Sequence, residues 1–226
     1  MVLDGLPRGA VYVPVDISAA YLDEVARTVS SAYPHVRVLP SASDIGRHIS
    51  IPDGLPRPAL FAFLGSTIGN FDAHAAAALL ARVAHAMRPD DAFLLGADLR
   101  KEQAVLELAY NDPRGVTAEF NRNMLRVVNR EAGTNFDVEA FDHLAYYAPV
   151  EQRIEMHLVA RTAQQIDVPG YGTVAIASGE SIRTEISCKY DRARIEELFA
   201  AAGLVLEEWM PDAQSYYALA VGRLGG

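Results

Sequence analysis

Cysteine is nearly absent: Cys188 stands alone, so no disulfide can close within the chain. The six histidines, His35, His48, His74, His85, His143 and His157, are scattered without metal-ligand spacing, and no metal is expected. Positive charge is also short. Twenty Lys and Arg face 29 Asp and Glu, a formal net charge of -9. Such a field repels phosphate backbones and anionic lipid, which argues against nucleic acid or a membrane as the main partner and favours a small molecule. No window approaches the roughly 20 apolar residues of a membrane span, and the opening MVLDGLPRGA has neither a basic nor a long apolar region. A cytoplasmic location is expected. Neither GxGxxG nor GxxxxGK[ST] occurs, which disfavours a dinucleotide-dependent dehydrogenase and a P-loop enzyme. No internal repeat or low-complexity linker stands out.

What is present suits an ordinary globular protein: 226 residues, 50% hydrophobic and 22% charged, enough for one large domain or one and a half small ones. Residues 11–15 form a β-branched run ending at Asp16, followed by a helical segment over 19–32 with Ser18 as N-cap. Short apolar runs at 36–39, 59–64 and 92–97 read as strands buried on both faces, with a helix over 73–87 capped by Asp72 between the last two. Strands alternating with helices imply a parallel α/β sheet. After Asp98 the texture changes. Helices are expected over 101–110, 117–131 and, capped by Asp137, 138–147. Alternation over 152–168 places Ile154, Met156, Leu158 and Ala160 on one face; strands at 173–177 and 181–190 follow. Asp191 caps a last helix closed by Gly203, and strands over 204–210 and 215–221 end the chain. The expected division is 1–100, an inserted unit over 101–189, and a return to the first domain over 190–226.

Three constellations can carry chemistry. Asp16 and the loop residue Asp44 sit beyond the ends of successive strands, where carboxylates can hold a ribose and an adenine amine; helix capping and a solvated loop are the plainer alternatives. Gly65-Ser66-Thr67-Ile68-Gly69-Asn70 follows a strand directly. Its glycines allow close backbone approach, and Asn70 offers a donor and an acceptor to an amine and a carboxylate; a turn with Asn70 and Asp72 only capping is the alternative. Glu185 and Ser187, two apart on a strand, share a face, but strict alternation puts Arg183 and Lys189 there too, and a solvated face remains open. Met156 and Tyr110 each read as core filler or ligand contact.

Taken together, FAFLGSTIGNF (61–71), YNDPRGVTAEFNRNMLRVVNRE (110–131), QRIEMHLVART (152–162) and RTEISCKY (183–190) resemble, in order and spacing, the histidine-specific SAM-dependent Nα-methyltransferases of ergothioneine biosynthesis. The resemblance implies an α/β fold: a Rossmann-like class I methyltransferase sheet with an inserted α+β substrate domain. It assigns S-adenosyl-L-methionine (SAM) to Asp16, Asp44 and Ile45. It assigns L-histidine to Gly65, Asn70, Tyr110, Met156, Glu185 and Ser187, with Glu185 and Ser187 reading the imidazole and Met156 walling it. A carboxylate and a hydroxyl satisfy an imidazole better than an indole, favouring histidine over tryptophan. The implied chemistry is displacement by the neutral α-amine, repeated to trimethylhistidine (hercynine), with no residue that must be the base and no metal. Members of the family carry further helices, a first sheet strand and a glycine-rich SAM loop ahead of the point where this sequence starts. The chain is therefore expected to be an N-terminally truncated member, with residues 1–7 resembling the helix after that loop, its sheet lacking a central strand, and a monomer if complete. The alternatives are an inactive fragment and an N-methyltransferase of another amino acid.

Overall fold

A computed structural model describes residues 2–226. Val2–Gly5 forms a single 3-10 turn where the resemblance implied a helix over 1–7; Met1 lies outside the described residues. The first apolar run is not one strand. Pro14 and, opposite, Pro40 split a parallel ladder into β1 (Val11–Tyr12) and β2 (Val15–Asp16), joined through α1 (Ala19–Ala32) to β3 (Arg37–Val38) and β4 (Ser41–Ala42). The ladder stays in register across both prolines, because the N–H groups of Arg37, Leu39, Ser41 and Ser43 donate to carbonyls of Ala10, Tyr12, Pro14 and Asp16. Proline lacks only the donor on its own residue. Ser18 caps α1, its Oγ accepting from Tyr21 N–H at 3.3 Å.

The main sheet contains β5 (Leu60–Phe63) and β6 (Ala92–Asp98), which are parallel and joined by α2 (Ala73–Ala86), plus two strands from the end of the chain. The inserted stretch contains α3 (Gln103–Tyr110), α4 (Val116–Ala132), β7 (Phe141–Ala148), β8 (Arg153–Ala160), β9 (Gln164–Val168), β10 (Gly172–Ile176) and β11 (Ser181–Cys188). Then α5 (Arg192–Ala201), β12 (Leu204–Pro211) and β13 (Tyr217–Leu224) return to the main sheet, whose order is β12-β13-β6-β5 with β13 antiparallel to both neighbours. The sheet is thus mixed, not purely parallel.

Helices α2 and α5 cover one face of it. Leu79, Leu80 and Val83 of α2 and Ile195 and Phe199 of α5 pack on Phe93, Leu95, Ala97, Ala218 and Ala220. Each large side chain so buried contributes about 1.5–3 kcal/mol. Over β5 the opposite face is open: Leu60 is 51% exposed, and Ala62 and Leu64 are exposed as well, whereas Leu94 of β6 is buried. The expectation of β5 buried on both faces is corrected here. A short apolar run does not say how many faces are covered, and β5 pairs only with β6 among the described residues.

The helix expected over 138–147 is also corrected. Only Val138–Ala140 turns as a 3-10 helix, and β7 follows. Its buried Phe141 and Ala145 fall at strand spacing between exposed Asp142, Leu144 and Tyr146, and all eight residues pair with β8. The three-stranded antiparallel sheet β11-β8-β7 carries α3 and α4 on the face of Ile154, Met156 and Leu158. The buried members of its two hydrophobic clusters lie within residues 106–176, whereas those of the largest cluster lie within 68–99 and 188–220. No helix among the described residues is long and apolar enough to cross a membrane.

Candidate active site

The turn after β5 is built by two successive left-handed residues, Gly65 (φ 75°) and Ser66 (φ 59°). Glycine adopts this region freely, while serine does so at a cost of about 1–3 kcal/mol that the surroundings must hold. Here the Ser66 hydroxyl accepts from Asp98 N–H at 2.8 Å, tying the turn to the end of β6. Thr67–Asn70 then winds as a 3-10 helix against β11. That contact needs Gly69, since a Cβ there would lie 3.0 Å from Cys188 O and 3.6 Å from Ser187 Oγ. Gly69→Ala is expected to destabilise the chain by about 1–3 kcal/mol and to lift the turn from β11. Urea denaturation with matched m-values checks this, and an unchanged midpoint would contradict it.

A β-bulge decides what β11 shows to this turn. Pairing runs Arg183 with His157, then Glu185 with Met156, leaving Thr184 without a strand partner while its Oγ1 donates to Met156 O at 3.0 Å. The extra residue reverses the facing. Arg183 therefore points to the far side of the sheet, 3.4 Å from Glu155, while Glu185 and Ser187 face the turn. Strict alternation put Arg183 beside Glu185, and the bulge corrects it.

Gly65, Asn70, Tyr110, Glu185 and Ser187 line one cavity of about 450 Å³, joined by Ser66, Thr67, Asp98 and Tyr217. Tyr110, at the end of α3, is held by its neighbours. Asn111 exchanges two bonds with the backbone of Ala145, and His143 Nε2 lies 2.8 Å from Tyr110 O. Because Asn121 Nδ2 donates to His143 Nδ1, the ring proton sits on Nε2 and points at that carbonyl. Tyr217 fits because residue 96 is glycine: a Cβ there would overlap its hydroxyl. Asn70 does not cap α2, a task performed by Asp72, whose Oδ1 accepts from Ala75 N–H; Asn70 is exposed at the cavity. Burial pushes the Glu185 carboxyl up, against a downward pull from the charge of Lys189.

Other expected residues lie elsewhere. Met156 is 2% exposed and packs with Leu106, Ala145 and Ile154 behind Tyr110; it is not among the residues lining the cavity. Asp16 and Asp44 stand at the same end of the parallel ladder, where Asp16 pairs with Ala42. Asp16 Oδ1 accepts from Ser18 N–H and Asp44 Oδ1 from Gly46 N–H, so each also organises its own loop. Ile45 packs on the main core. The sequence reading overlooked Asp98 and Lys189. Lys189 is wholly buried and pairs with Asp98 Oδ2 at 2.7 Å, while Lys101 pairs with Asp98 Oδ1. The signal for Asp98 was available, an acidic residue ending an apolar strand as Asp16 does.

The sequence matches a family described as "Histidine-specific methyltransferase, SAM-dependent" over residues 1–224. It is 42% identical to a histidine N-alpha-methyltransferase of Mycobacterium tuberculosis, over 98% of this chain and 70% of that protein. It is 38% identical to one of Mycolicibacterium smegmatis, over 93% of this chain and 65% of that protein, so it spans about two thirds of the length of these relatives. Its fold is similar to that of an S-adenosylmethionine-dependent methyltransferase from Clostridium acetobutylicum, with a TM-score of 0.51 at 12% identity over 95% of this chain and 75% of the other. With the residues of the histidine-methyltransferase motifs gathered around one cavity, the chain belongs to the histidine-specific, SAM-dependent methyltransferase family.

Proposed function

We propose that the protein transfers methyl groups from SAM to the α-amino nitrogen of L-histidine, three times in succession to trimethylhistidine, in ergothioneine biosynthesis. The single observation that carries this reading is the convergence of Gly65, Asn70, Tyr110, Glu185 and Ser187, from three separate parts of the chain, on one cavity. A carboxylate and a hydroxyl at its floor suit the two ring nitrogens, and the exposed Asn70 amide with the turn backbone suits the amino-acid end.

SAM fits the adenosine end of this arrangement, because Asp16 and Asp44 stand together beyond the carboxyl ends of adjacent parallel strands, where such sheets take their ligands. When bound, SAM supplies the electrophilic methyl group. The chain's own part is orientation. Asp16 and Asp44 would hold the ribose and adenine, with Ile45 beside the ring; Gly65 and Asn70 would aim the amine, and Tyr110 would hold the carboxylate. Met156 acts from behind Tyr110 as packing. Alignment of the amine and exclusion of water supply most of the acceleration on this reading. We further treat residues 101–189 as the substrate-binding unit, with 1–100 and 190–226 forming the SAM-binding one.

The test is to incubate the purified chain with methyl-labelled SAM and equimolar histidine and tryptophan, and to follow products by mass spectrometry. Labelled mono-, di- or trimethylhistidine is the expected result. No labelled amino acid from a folded chain would overturn the reading.

A further inference from the structure

Lys189 has no exposure to solvent, and each of its three N–H bonds has a partner: Asp98 Oδ2 at 2.7 Å, the Tyr110 hydroxyl at 2.9 Å and Ser187 Oγ at 2.8 Å. An ammonium donates three bonds and accepts none. The two hydroxyls it serves are also 2.8 Å from each other. Each therefore accepts from Lys189, and the bond between them uses one of their two protons. The other proton is left for the cavity that both residues line. A phenol is a stronger acid than an aliphatic alcohol, so Tyr110 donates to Ser187 and the remaining proton belongs to Ser187. With both acceptor positions filled, Ser187 can only donate outward. Glu185, two residues back on the same face, can only accept while ionised.

We propose that Lys189 is a positioning residue that sets the hydrogen-bond polarity of the pocket, making Ser187 an obligate donor beside an accepting Glu185. The ring that satisfies both has one bare nitrogen and one N–H, which is imidazole in a single neutral tautomer. The inference rests on the histidine reading above and extends it from the identity of the substrate to its protonation state. An imidazolium carries two N–H groups, and one of them would meet the Ser187 proton head on. The titratable groups around the pocket are Glu185 from β11, Lys189 directly after that strand, Asp98 from β6, Lys101 three residues on, Tyr110 from α3 and Tyr217 from β13. Two ammonium groups share the one Asp98 carboxylate, and their excess positive charge offsets the pull of an ionised Glu185 on a cationic ring. A lysine that only neutralised Asp98 would act on the ring through charge alone, and Lys189→Met with Asp98→Asn, which removes one charge of each sign, would then leave the ring's protonation unchanged.

The experiment uses ring-15N histidine bound to the full chain with S-adenosylhomocysteine, followed by 15N NMR at a pH of about 6.5, where a free imidazole is half protonated. In the wild type the bound ring is expected to show one pyridine-like and one pyrrole-like nitrogen. Lys189→Met frees an acceptor position on Ser187, so the bound ring should shift toward imidazolium and histidine affinity should fall about tenfold. Where Lys189→Met alone does not fold, Lys189→Met with Asp98→Asn removes the carboxylate that has lost one of its two cations and carries the same expectation. Imidazolium bound to the wild type would overturn the polarity. An unchanged neutral tautomer in a folded Lys189 variant would overturn the role of Lys189 while leaving the histidine reading in place. A folded chain that binds no histidine would overturn that reading and this inference with it.

Discussion

Glu185→Gln is expected to lower kcat/KM for histidine by about 100-fold on the proposed reading. A hydrogen bond to an ionised carboxylate contributes about 1.5–3 kcal/mol, and glutamine keeps an acceptor of similar shape without the charge. The effect is large because nothing else in the cavity offers the same group: Asp98, the other carboxylate lining it, is engaged by Lys101 and Lys189. Burial raises the Glu185 carboxyl above its usual range, so it protonates at a higher pH than an exposed glutamate. Activity that needs its ionised form is present above that pKa and lost as pH falls through it. In Glu185→Gln this contribution to the acid limb should vanish, while the contribution from the substrate ring remains. The ratio of histidine to tryptophan methylation should narrow as well, because an indole no longer leaves a carboxylate unsatisfied. Competition between the two amino acids for methyl-labelled SAM, run across pH, reads all three effects. A histidine kcat/KM unchanged by Glu185→Gln would remove Glu185 from the site.

Much of the fold was legible because its signals are local. The cap at Ser18, the cap at Asp72, the cap at Asp191 and the left-handed Gly203 each mark a helix end within a residue or so of where the structure has it. The failures come from interactions that local pattern does not encode. FDHLAYYA has the composition of either element, and only pairing with β8 makes it a strand. The apolar run of β5 reads the same whether one face or two are covered, and here one is. For the site, the motif residues around the Gly65 turn and along β11 could be placed from sequence, yet their common cavity depends on a bulge at Thr184 that shifts the pairing between Arg183 and Glu185. Lys189 looked like one more surface charge. Its burial follows from contacts with Asp98 and Tyr110, which lie about 90 and 80 residues away in the chain.

Beside the bulge, across β8, lies a buried carboxylate whose removal should cost more stability than Gly69→Ala. Glu155 is buried on the far face of β8, where it accepts from Arg153 Nε at 2.8 Å, Tyr146 OH at 3.0 Å and His157 Nε2 at 3.1 Å, with Arg183 Nη1 at 3.4 Å. Burial alone would push its carboxyl up, but these bonds and the charge of Arg153 outweigh it and hold the group at about 2. A pKa depressed in the folded state contributes stability that is complete above the unfolded value, near 4.5, and is lost as pH falls toward 2. The difference corresponds to about 3 kcal/mol. Glu155→Gln strands Arg153 and His157 on a buried face and is expected to cost about 3–5 kcal/mol near neutral pH. Urea denaturation of wild type and variant at several pH values separates this from a packing defect. The gap between them should close as pH falls from about 5 to 2, because the wild type then loses what the variant never had. A gap that stayed constant would mean the carboxylate charge is not what holds the sheet. The loss should also reach the pocket. Arg183 lies on the far face with Glu155 as its partner, next to the bulge that leaves Glu185 and Ser187 toward the cavity. Histidine binding should therefore weaken in Glu155→Gln although Glu155 itself faces away from the ligand.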